Sequence, residues 1–197
     1  MTAASSAGRP RVLCVGTITL DHVYSLTTPL TVGVKHRSNH RVDVGGGIAA
    51  NAAVAVSRLG GHATLLGAVG ADTTGGAVVT DLEREGVDAK GVWRLPDAGT
   101  TESVVLIEPD GGRTIVAHAP IDLASLPAPT LPGDLVDAVL VDGRWPAATR
   151  AALEWAAAAG IPGVVDVDRA PSDPSERSVL LRSATHLVCS EVGLEEL

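Results

Sequence analysis

The feature that most constrains this chain is an alternation of short aliphatic runs with segments of helical pattern. Such runs predict strands that are buried on both faces, and helices between consecutive strands require parallel pairing with right-handed crossovers. We therefore predict an α/β fold with a mostly parallel sheet. The predicted strands are residues 11–15, 62–69, 138–141, 163–167 and 186–189, and the predicted helices are residues 48–60, 73–85, 146–159, 174–182 and 190–197.

Two further regions are too polar to lie in such a core. Residues 17–24 and 34–44 alternate apolar and polar side chains but contain few large apolar residues. Residues 101–118 have the pattern of a hairpin around a Pro-Asp-Gly-Gly turn. Strands of this kind suit a sheet that has an exposed face. We predict that they form a small sheet standing off the main domain.

Charge and composition exclude several classes of function. The 197 residues carry a formal net charge of −8, whereas binding to nucleic acid or anionic membranes needs a basic face. No apolar run reaches the length of a membrane span. Cys14 and Cys189 lie in apolar runs without a CxxC spacing, which favours reduced core thiols. Residues 1–10 lack an apolar signal region, so we expect a disordered tail on a cytoplasmic protein.

Chemistry is expected at the carboxyl ends of the strands, where open α/β sheets bind their ligands. Gly45, Gly46 and Gly47 precede a predicted helix, and they either make a tight turn or let a ligand approach the helix closely. This cluster is neither a GxGxxG fingerprint nor a Walker A loop. Asn51 lies one turn into the helix, where it is either a buried side chain bonded to the backbone or a hydrogen-bonding group for a polyol.

Several motifs together resemble the ribokinase-like (PfkB) family of sugar kinases. The resemblance covers residues 11–197 as one domain and implies a Rossmann-type, mostly parallel sheet with helices on both faces. It also implies a small β-sheet lid from about 17–44 and 101–118, and phosphorylation of a sugar hydroxyl by ATP with Mg²⁺. The motifs are Asp21, Gly46-Gly47-x-x-x-Asn51, Arg58-Leu59-Gly60, Gly67-x-Val69-Gly70-x-Asp72-x-x-Gly75, Leu82-x-x-x-Gly86-Val87 and Arg113-Thr114-Ile115.

The same resemblance implies roles for individual residues. The Asp21 carboxylate, the backbone of Gly46 and Gly47, and the Asn51 side chain would bind sugar hydroxyls. Arg113 would lie near the transferred phosphoryl group. The simpler alternatives are a turn or capping role for Asp21 and a solvated lid arginine at position 113.

Within the family, residues 139–145 and 189–194 resemble sulfofructose kinase and ketohexokinase. Lys35 and Arg144 stand where sulfofructose kinase binds its anionic headgroup, and two cations at one end of a sugar would suit a sulfonate or a phosphate. Ala117 and Asn51 depart from that enzyme's pattern. The sugar, a ketose or a sulfo-sugar, therefore stays open, and Lys35 has the alternative of an exposed lid lysine.

The segment that the resemblance assigns to catalysis does not occur in this sequence. Family kinases carry a later Gly-Ala-Gly-Asp helix entry whose aspartate is the general base, so we predict no catalytic base within residues 1–197. The family's Asn-x-x-Glu motif, which is linked to Mg²⁺ and phosphate, would fall where Ser190 and Glu191 stand in a degenerate form. We expect a ribokinase-like fold that is incomplete at its C-terminus.

Three functions stay open at this point. The chain is the sugar-binding half of a carbohydrate kinase, or a catalytically inactive sugar-binding or interaction module, or part of a nucleoside kinase, since a fold alone does not fix the substrate. In each case the expected partner is a small molecule. The resemblance also leaves room for a homodimer formed through the lid.

Overall fold

A computed structural model describes residues 8–133 and 136–197, so most of the predicted tail at residues 1–10 lies outside the described residues. In chain order the strands are β1 (Arg11–Val15), β2 (Thr19–Leu26), β3 (Ser38–Gly46), β4 (His62–Leu66), β5 (Ala68–Gly70), β6 (Trp93–Leu95), β7 (Glu102–Ile107), β8 (Arg113–His118), β9 (Ala138–Val141), β10 (Gly163–Val167) and β11 (His186–Cys189). The helices are α1 (Ile48–Arg58), α2 (Thr73–Arg84), α3 (Pro146–Ala159), α4 (Pro174–Ser183) and α5 (Glu191–Glu196).

The central sheet has five parallel strands in the order β11-β10-β9-β1-β4, which confirms the predicted α/β fold. Helices α1 and α2 pack on one face around Cys14 and Leu65. Helix α3 covers the other face, where Val139 and Val165 are fully buried, and α4 packs beside it through Leu180. Alternate residues of each strand therefore enter two separate apolar clusters, because successive side chains of a strand point to opposite faces.

A second sheet, called the lid below, has the order β3-β2-β7-β8 and is built from the two polar regions of the sequence. The pairs β2–β3 and β7–β8 are antiparallel, and β2 and β7 are parallel. Several of its valine and isoleucine side chains are exposed, as expected for a sheet that stands off the main domain. The chain passes from β1 of the central sheet into the lid through residues 16–18, and β3 of the lid leads into α1 after Gly46.

One local prediction needs correction, and two further contacts shape the core. The predicted strand over residues 62–69 is two strands, β4 and β5, because the chain breaks at Gly67 and β5 pairs with β6, which the sequence reading missed. The core is not purely aliphatic, since Trp145 is its largest fully buried side chain and packs edge-on against Trp93. The proline-rich connection at residues 123–133 lies mostly on the surface, but its Leu126 carbonyl accepts a hydrogen bond from the Trp145 indole, at 3.2 Å.

The two cysteines occupy different environments. Cys14 is fully buried in β1, and burial raises its pKa to about 12, as expected for an inert core thiol. Cys189 is half-buried in β11 at the sheet edge. Since β9 and β10 lie between β1 and β11, the two backbones are about 14 Å apart, too far for a disulfide. No helix within the described part of the chain is long and apolar enough to cross a bilayer.

Asp72 joins the N-terminus of α2 to the start of the lid. Its carboxylate caps α2 by accepting a 2.7 Å hydrogen bond from the Gly75 N–H, and it also accepts bonds from the hydroxyl and the N–H of Thr100. The Thr100 hydroxyl, followed by the N–H groups of Gly75 and Thr100, lowers the Asp72 pKa. A methyl side chain at position 75 would overlap the Gly70 carbonyl oxygen. This network gives a physical reason for the Gly70-x-Asp72-x-x-Gly75 motif.

We expect Asp72→Ala to lower the free energy of unfolding by about 1–2 kcal/mol, because it removes a helix cap and leaves the buried Thr100 short of a partner. Urea unfolding followed by circular dichroism measures this change. Asp81→Ala is the control, since Asp81 forms an exposed ion pair with Arg84 on the same helix and such pairs contribute little. Equal losses for the two variants would contradict the proposed link.

Candidate functional site

The carboxyl ends of β1 and β9 form the crevice where an open α/β sheet binds its ligands. After β1 the chain crosses to β4 on one side, and after β9 it crosses to β10 on the other, so the switch in strand order lies between β1 and β9. Asp142 is buried at this point. One of its carboxylate oxygens accepts 2.6 Å hydrogen bonds from both the N–H and the hydroxyl of Thr17, and the other accepts a bond from the Arg144 N–H.

Thr17 in turn holds the entry of α1. Its hydroxyl oxygen accepts a 3.0 Å hydrogen bond from the Ile48 N–H, and its carbonyl accepts one from Ala50. Gly47 adopts a φ of 93°, and a side chain there would overlap the Thr17 carbonyl. The tight-turn interpretation therefore accounts for Gly47. The sequence reading missed Thr17 and Asp142, although an aspartate directly after a buried strand was an available signal.

Asp21 lies inside β2, which excludes the alternative that it is a turn or capping residue. It accepts a 3.2 Å hydrogen bond from the Thr19 hydroxyl, and its other carboxylate oxygen occupies the space that a Gly46 side chain would need. Gly46 is buried at the end of β3, opposite Thr19. The structure thus brings together two of the predicted site residues, Asp21 and Gly46, at the base of the lid.

Asn51 is exposed, so the alternative of a buried asparagine bonded to the backbone is wrong. It lies on the wall of a cavity of about 470 Å³ between the end of β3 and helices α1 and α2. Gly45 and Gly46 line the same cavity, and Val54 and Leu82 supply apolar surface. The Asn51 side chain is therefore accessible to a ligand near the glycine cluster.

The structure does not bring the predicted cations together. Arg144 borders a cavity of about 230 Å³ beside Thr17, but its guanidinium donates to Asp168 at 3.1 Å. Lys35 is exposed in the loop at the far end of the β2–β3 hairpin, about 24 Å of strand from the Thr19–Gly46 pair. Arg113 begins β8 at the tip of the β7–β8 hairpin and is exposed. Lys35 and Arg113 therefore both stand at the tip end of the lid, whereas Arg144 lies at the crevice and is paired with Asp168.

Ser190 and its neighbours have structural roles. The Ser190 hydroxyl caps α5 by accepting from the Gly193 N–H at 2.9 Å, and it donates to the Asp168 carbonyl at 2.6 Å. A side chain at position 193 would overlap the Val167 carbonyl oxygen, so Gly193 allows α5 to approach β10. Glu191 is exposed in the first turn of α5, where an acidic side chain is favourable.

Comparison with known proteins decides the family. Residues 9–197 match the family model described as pfkB family carbohydrate kinase. The chain belongs to the pfkB family of carbohydrate kinases. This confirms the resemblance found in the sequence motifs. Among curated pfkB-type relatives, Fructokinase-1 of Zea mays is 36% identical over 114 residues, which are 57% of this chain and 34% of that protein.

Other relatives agree with the pfkB assignment. An ATP-dependent ribose-1-phosphate kinase of Halopiger xanaduensis is 44% identical over 72 residues, 36% of this chain and 24% of that protein. A solved protein assigned as a ribokinase from Agrobacterium tumefaciens has a TM-score of 0.86 and 37% identity, over 93% of this chain and 60% of its own. The chain thus spans about three fifths of that solved structure, and its matches cover about a third or less of the curated relatives.

ATP and Mg²⁺ are the groups that membership of the pfkB family implies. A ribokinase from Cryptococcus neoformans, with a TM-score of 0.76 and 27% identity over 96% of this chain and 61% of its own, was solved in complex with ADP. Within residues 8–133 and 136–197, no three His, Cys, Asp or Glu side chains are grouped so that they could hold a metal ion. The Ser190 hydroxyl is already bonded in a cap. Among the described residues there is therefore no preformed cluster of carboxylate, imidazole or thiol ligands for Mg²⁺.

The face of the pfkB lid opposite to that of Asp21 carries a charged network. His22 Nδ1 lies 2.7 Å from Asp43 Oδ1, and His22 Nε2 lies 3.6 Å from Glu102. Arg41 pairs with Asp43, and Thr74 of α2 donates to Glu102 at 2.9 Å. The hydrogen bond to Asp43, with a smaller contribution from Glu102, raises the pKa of His22. Charge on His22 therefore favours the pairing of the three strands β3, β2 and β7.

We expect Gly46→Ala to lower the free energy of unfolding by about 1–3 kcal/mol, because the new methyl group overlaps the Asp21 carboxylate. Gly45→Ala is a matched control in the same strand, since no atom lies within 4 Å of a methyl group there, and its effect should stay within about 0.5 kcal/mol. Urea unfolding measures both. If Gly45→Ala is as destabilising as Gly46→Ala, the close approach of Asp21 to β3 is wrong.

We expect the lid to lose stability as the pH rises above about 6.5. The raised His22 pKa means that the stabilisation is complete below the unfolded value of 6.5 and is lost as the pH passes the folded value. His22→Gln should remove this pH dependence, whereas His62→Gln, in the central sheet, should keep it. Amide hydrogen exchange of β2 and β3, corrected for intrinsic rates, measures the effect, and an unchanged profile in His22→Gln would contradict it.

Proposed function

We propose that residues 1–197 form the sugar-binding half of an ATP-dependent kinase that phosphorylates a hydroxyl of a ketose. The observation that carries this proposal is the position of the Asp21 carboxylate, which lies against Gly46 at the base of the lid. Family membership supports the reaction class. Since the chain spans only part of its relatives, the activity belongs to a kinase that includes a further catalytic part.

The chemistry of Asp21 suits a sugar. One carboxylate oxygen already accepts from Thr19, and the other has acceptor capacity for one or two sugar hydroxyls. Hydrogen bonds to a charged acceptor are among the stronger ones, with about 1.5–3 kcal/mol each, so a half-buried carboxylate can orient the ring. Gly46 has no side chain, which lets the Asp21 carboxylate lie directly against β3, and the exposed Asn51 lies one helical turn farther on.

Arg113 remains a candidate for contact with the phosphoryl group. Ser103 pairs with both Asp21 and Ala117, so the three side chains share one face of the lid. Arg113 is four residues before Ala117 in β8 and therefore points to that same face, about 13 Å farther toward the hairpin tip. A contact with substrate would need the lid tip to close over the crevice.

A neutral ketose is the proposed substrate. The proteins named fructokinase among the relatives support a ketose, with 36% identity over 57% of this chain in the maize example. Asp168 neutralises Arg144, and Lys35 lies at the far end of the lid, so neither cation is free near Asp21. An anionic sulfo-sugar would have to displace Asp168 from its ion pair with Arg144 before Arg144 could bind it. Neighbours described as nucleoside kinases are 18% identical, which shows the fold alone.

The general base and the groups for ATP and Mg²⁺ are proposed to lie in the further catalytic part. The alternative, a catalytically inactive sugar-binding module, predicts the same sugar affinity from residues 1–197 without any phosphoryl transfer in the longer form. A cytoplasmic location and a homodimer through the lid stay predictions. The homodimer is supported by three apolar side chains that are exposed on the lid, Val42, Val44 and Ile115.

We expect residues 1–197 to bind fructose without nucleotide, and Asp21→Asn to weaken that binding by about tenfold or more, because a charged acceptor is lost at nearly constant shape. Isothermal titration calorimetry measures the affinity. Asp110→Asn is the control, since Asp110 bonds within the distant hairpin turn. Equal affinities for wild type and Asp21→Asn would contradict the proposed site.

The same titrations separate the substrate classes. Fructose 1-phosphate and a sulfonated ketose should bind more weakly than fructose, and Arg144→Ala should change the affinity for fructose little. If the anionic sugars bind more tightly and lose that advantage in Arg144→Ala, then Arg144 leaves Asp168 to bind the anion and the neutral-ketose proposal is wrong.

A further inference from the structure

Ser103 is one of four polar residues that are buried in the described part of the chain. Two of the others, Thr100 and Asp142, take part in the hydrogen-bond networks given above. The hydroxyl of Thr149 has no partner, but it is sealed from solvent within α3. The Ser103 hydroxyl makes no hydrogen bond to another described residue and is not sealed in this way, although Ser103 is only 9% exposed. A polar group that is nearly buried without a partner calls for a physical reason.

The position of Ser103 is beside Asp21, on the same face of the lid. Ser103 pairs with Asp21 of β2 on one side and with Ala117 of β8 on the other. Neighbouring strands lie about 4.8 Å apart, and paired side chains point to the same face. One Asp21 carboxylate oxygen accepts from Thr19, and the other lies against Gly46 of β3. The Ser103 hydroxyl and the Asp21 carboxylate are therefore neighbours that do not bond to each other.

The surroundings of this polar pair are apolar. Val23 and Val105 are the next residues on the same face toward the lid tip, and they pair with each other. Val44 stands opposite Asp21 in β3. After Ser103, strand β7 consists of aliphatic residues to its end at Ile107, so packing does not require a hydroxyl there. A few polar groups in an otherwise apolar wall are the usual means of orienting a small ligand.

The row of paired residues also leads toward the crevice. Thr101 lies two residues before Ser103, and Ala119 lies two residues after Ala117. Both line the cavity of about 230 Å³ that Arg144 borders. Two residues of a strand span about 7 Å. A ligand that extends from this cavity along the lid therefore comes within reach of the Ser103 hydroxyl.

We propose that Ser103 is a substrate-binding residue, whose hydroxyl donates a hydrogen bond to the same sugar hydroxyl from which Asp21 accepts one. A carboxylate can only accept, whereas a serine hydroxyl can also donate, so a single sugar hydroxyl can satisfy both groups. Hydrogen bonds that are linked in such a chain strengthen one another. The inference rests on the proposed function and adds to it that the ketose presents one hydroxyl to both β2 and β7.

This arrangement makes Ser103 a specificity-determining residue. A site that is built to hydrogen-bond a substrate hydroxyl rejects an analogue that lacks it, because the polar groups of the site are then left without partners. On the side of Ser103 away from Asp21, Ala117 offers no polar side chain. The selection is therefore directed at the hydroxyl that lies between Asp21 and Ser103.

The test is calorimetric titration of residues 1–197 with fructose and with its monodeoxy analogues. We expect Ser103→Ala to weaken fructose binding by about three- to tenfold, because one neutral hydrogen bond is lost. One analogue, which lacks the shared hydroxyl, should bind to the wild type and to Ser103→Ala equally. Ser25→Ala is the matched control, since Ser25 lies on the same face of β2 about 13 Å nearer the lid tip, and its affinity for fructose should be unchanged.

Two further measurements separate substrate binding from a structural role. If both groups bind one hydroxyl, the double variant Asp21→Asn with Ser103→Ala should lose less affinity than the product of the two single losses. Ser103→Ala should not lower the melting temperature, because the hydroxyl has no bond to another described residue to lose.

Equal fructose affinities of the wild type and Ser103→Ala would overturn the inference and leave the proposed function in place. A loss of the same size with every monodeoxy analogue would also overturn it, since no particular hydroxyl would then be read. A lower melting temperature of Ser103→Ala would assign the hydroxyl to the fold instead. A wild-type chain that binds no ketose would overturn the proposed function, and the inference with it.

Discussion

The buried carboxylate of Asp142 is the contact on which the rest of the site depends. It binds the Thr17 N–H and hydroxyl at 2.6 Å, and Thr17 then holds the entry of α1 through Ile48. Three parts of the chain that are distant in sequence therefore meet at one point: the loop after β1, the start of α1 and the loop after β9. Removing one partner of a buried charged hydrogen bond is costly, so the crevice and the helix entry are fixed together.

The glycines of the family motifs act through close approach rather than through flexibility alone. At Gly46 the missing side chain leaves room for the Asp21 carboxylate, and at Gly75 it leaves room for the Gly70 carbonyl. The first contact fixes the base of the lid against the proposed sugar site. The second, with the Asp72 cap, fixes the start of β7 after Thr100, at the same base of the lid. The main domain thus carries a lid that is fixed at its base but only partly buried over the rest of its strands.

Much of the fold could be predicted because it is encoded locally. In the aliphatic runs of β1, β9 and β10 and in the Ala-rich α1, the local sequence pattern favours the same element that the tertiary fold contains. These elements were therefore predicted nearly to their ends. The split at Gly67 and the strand β6 could not be predicted, since three-residue strands exist only through their mutual pairing. The position of Trp145 in the core could not be predicted either, because its partner Trp93 is contributed by β6.

The sequence by itself determined the alternating α/β elements, the polar lid and the family, because periodicity and motif spacing are properties of neighbouring residues. The family resemblance further predicted that Asp21 and Gly46 belong to one site, and the structure brings the two residues together. Only the tertiary structure decided the pairing of Arg144 with Asp168, the distance of Lys35 from the glycine cluster and the exposure of Asn51. Charge neutralisation and burial depend on which residues meet across the fold, and that is set by the order of the strands rather than by their sequence patterns.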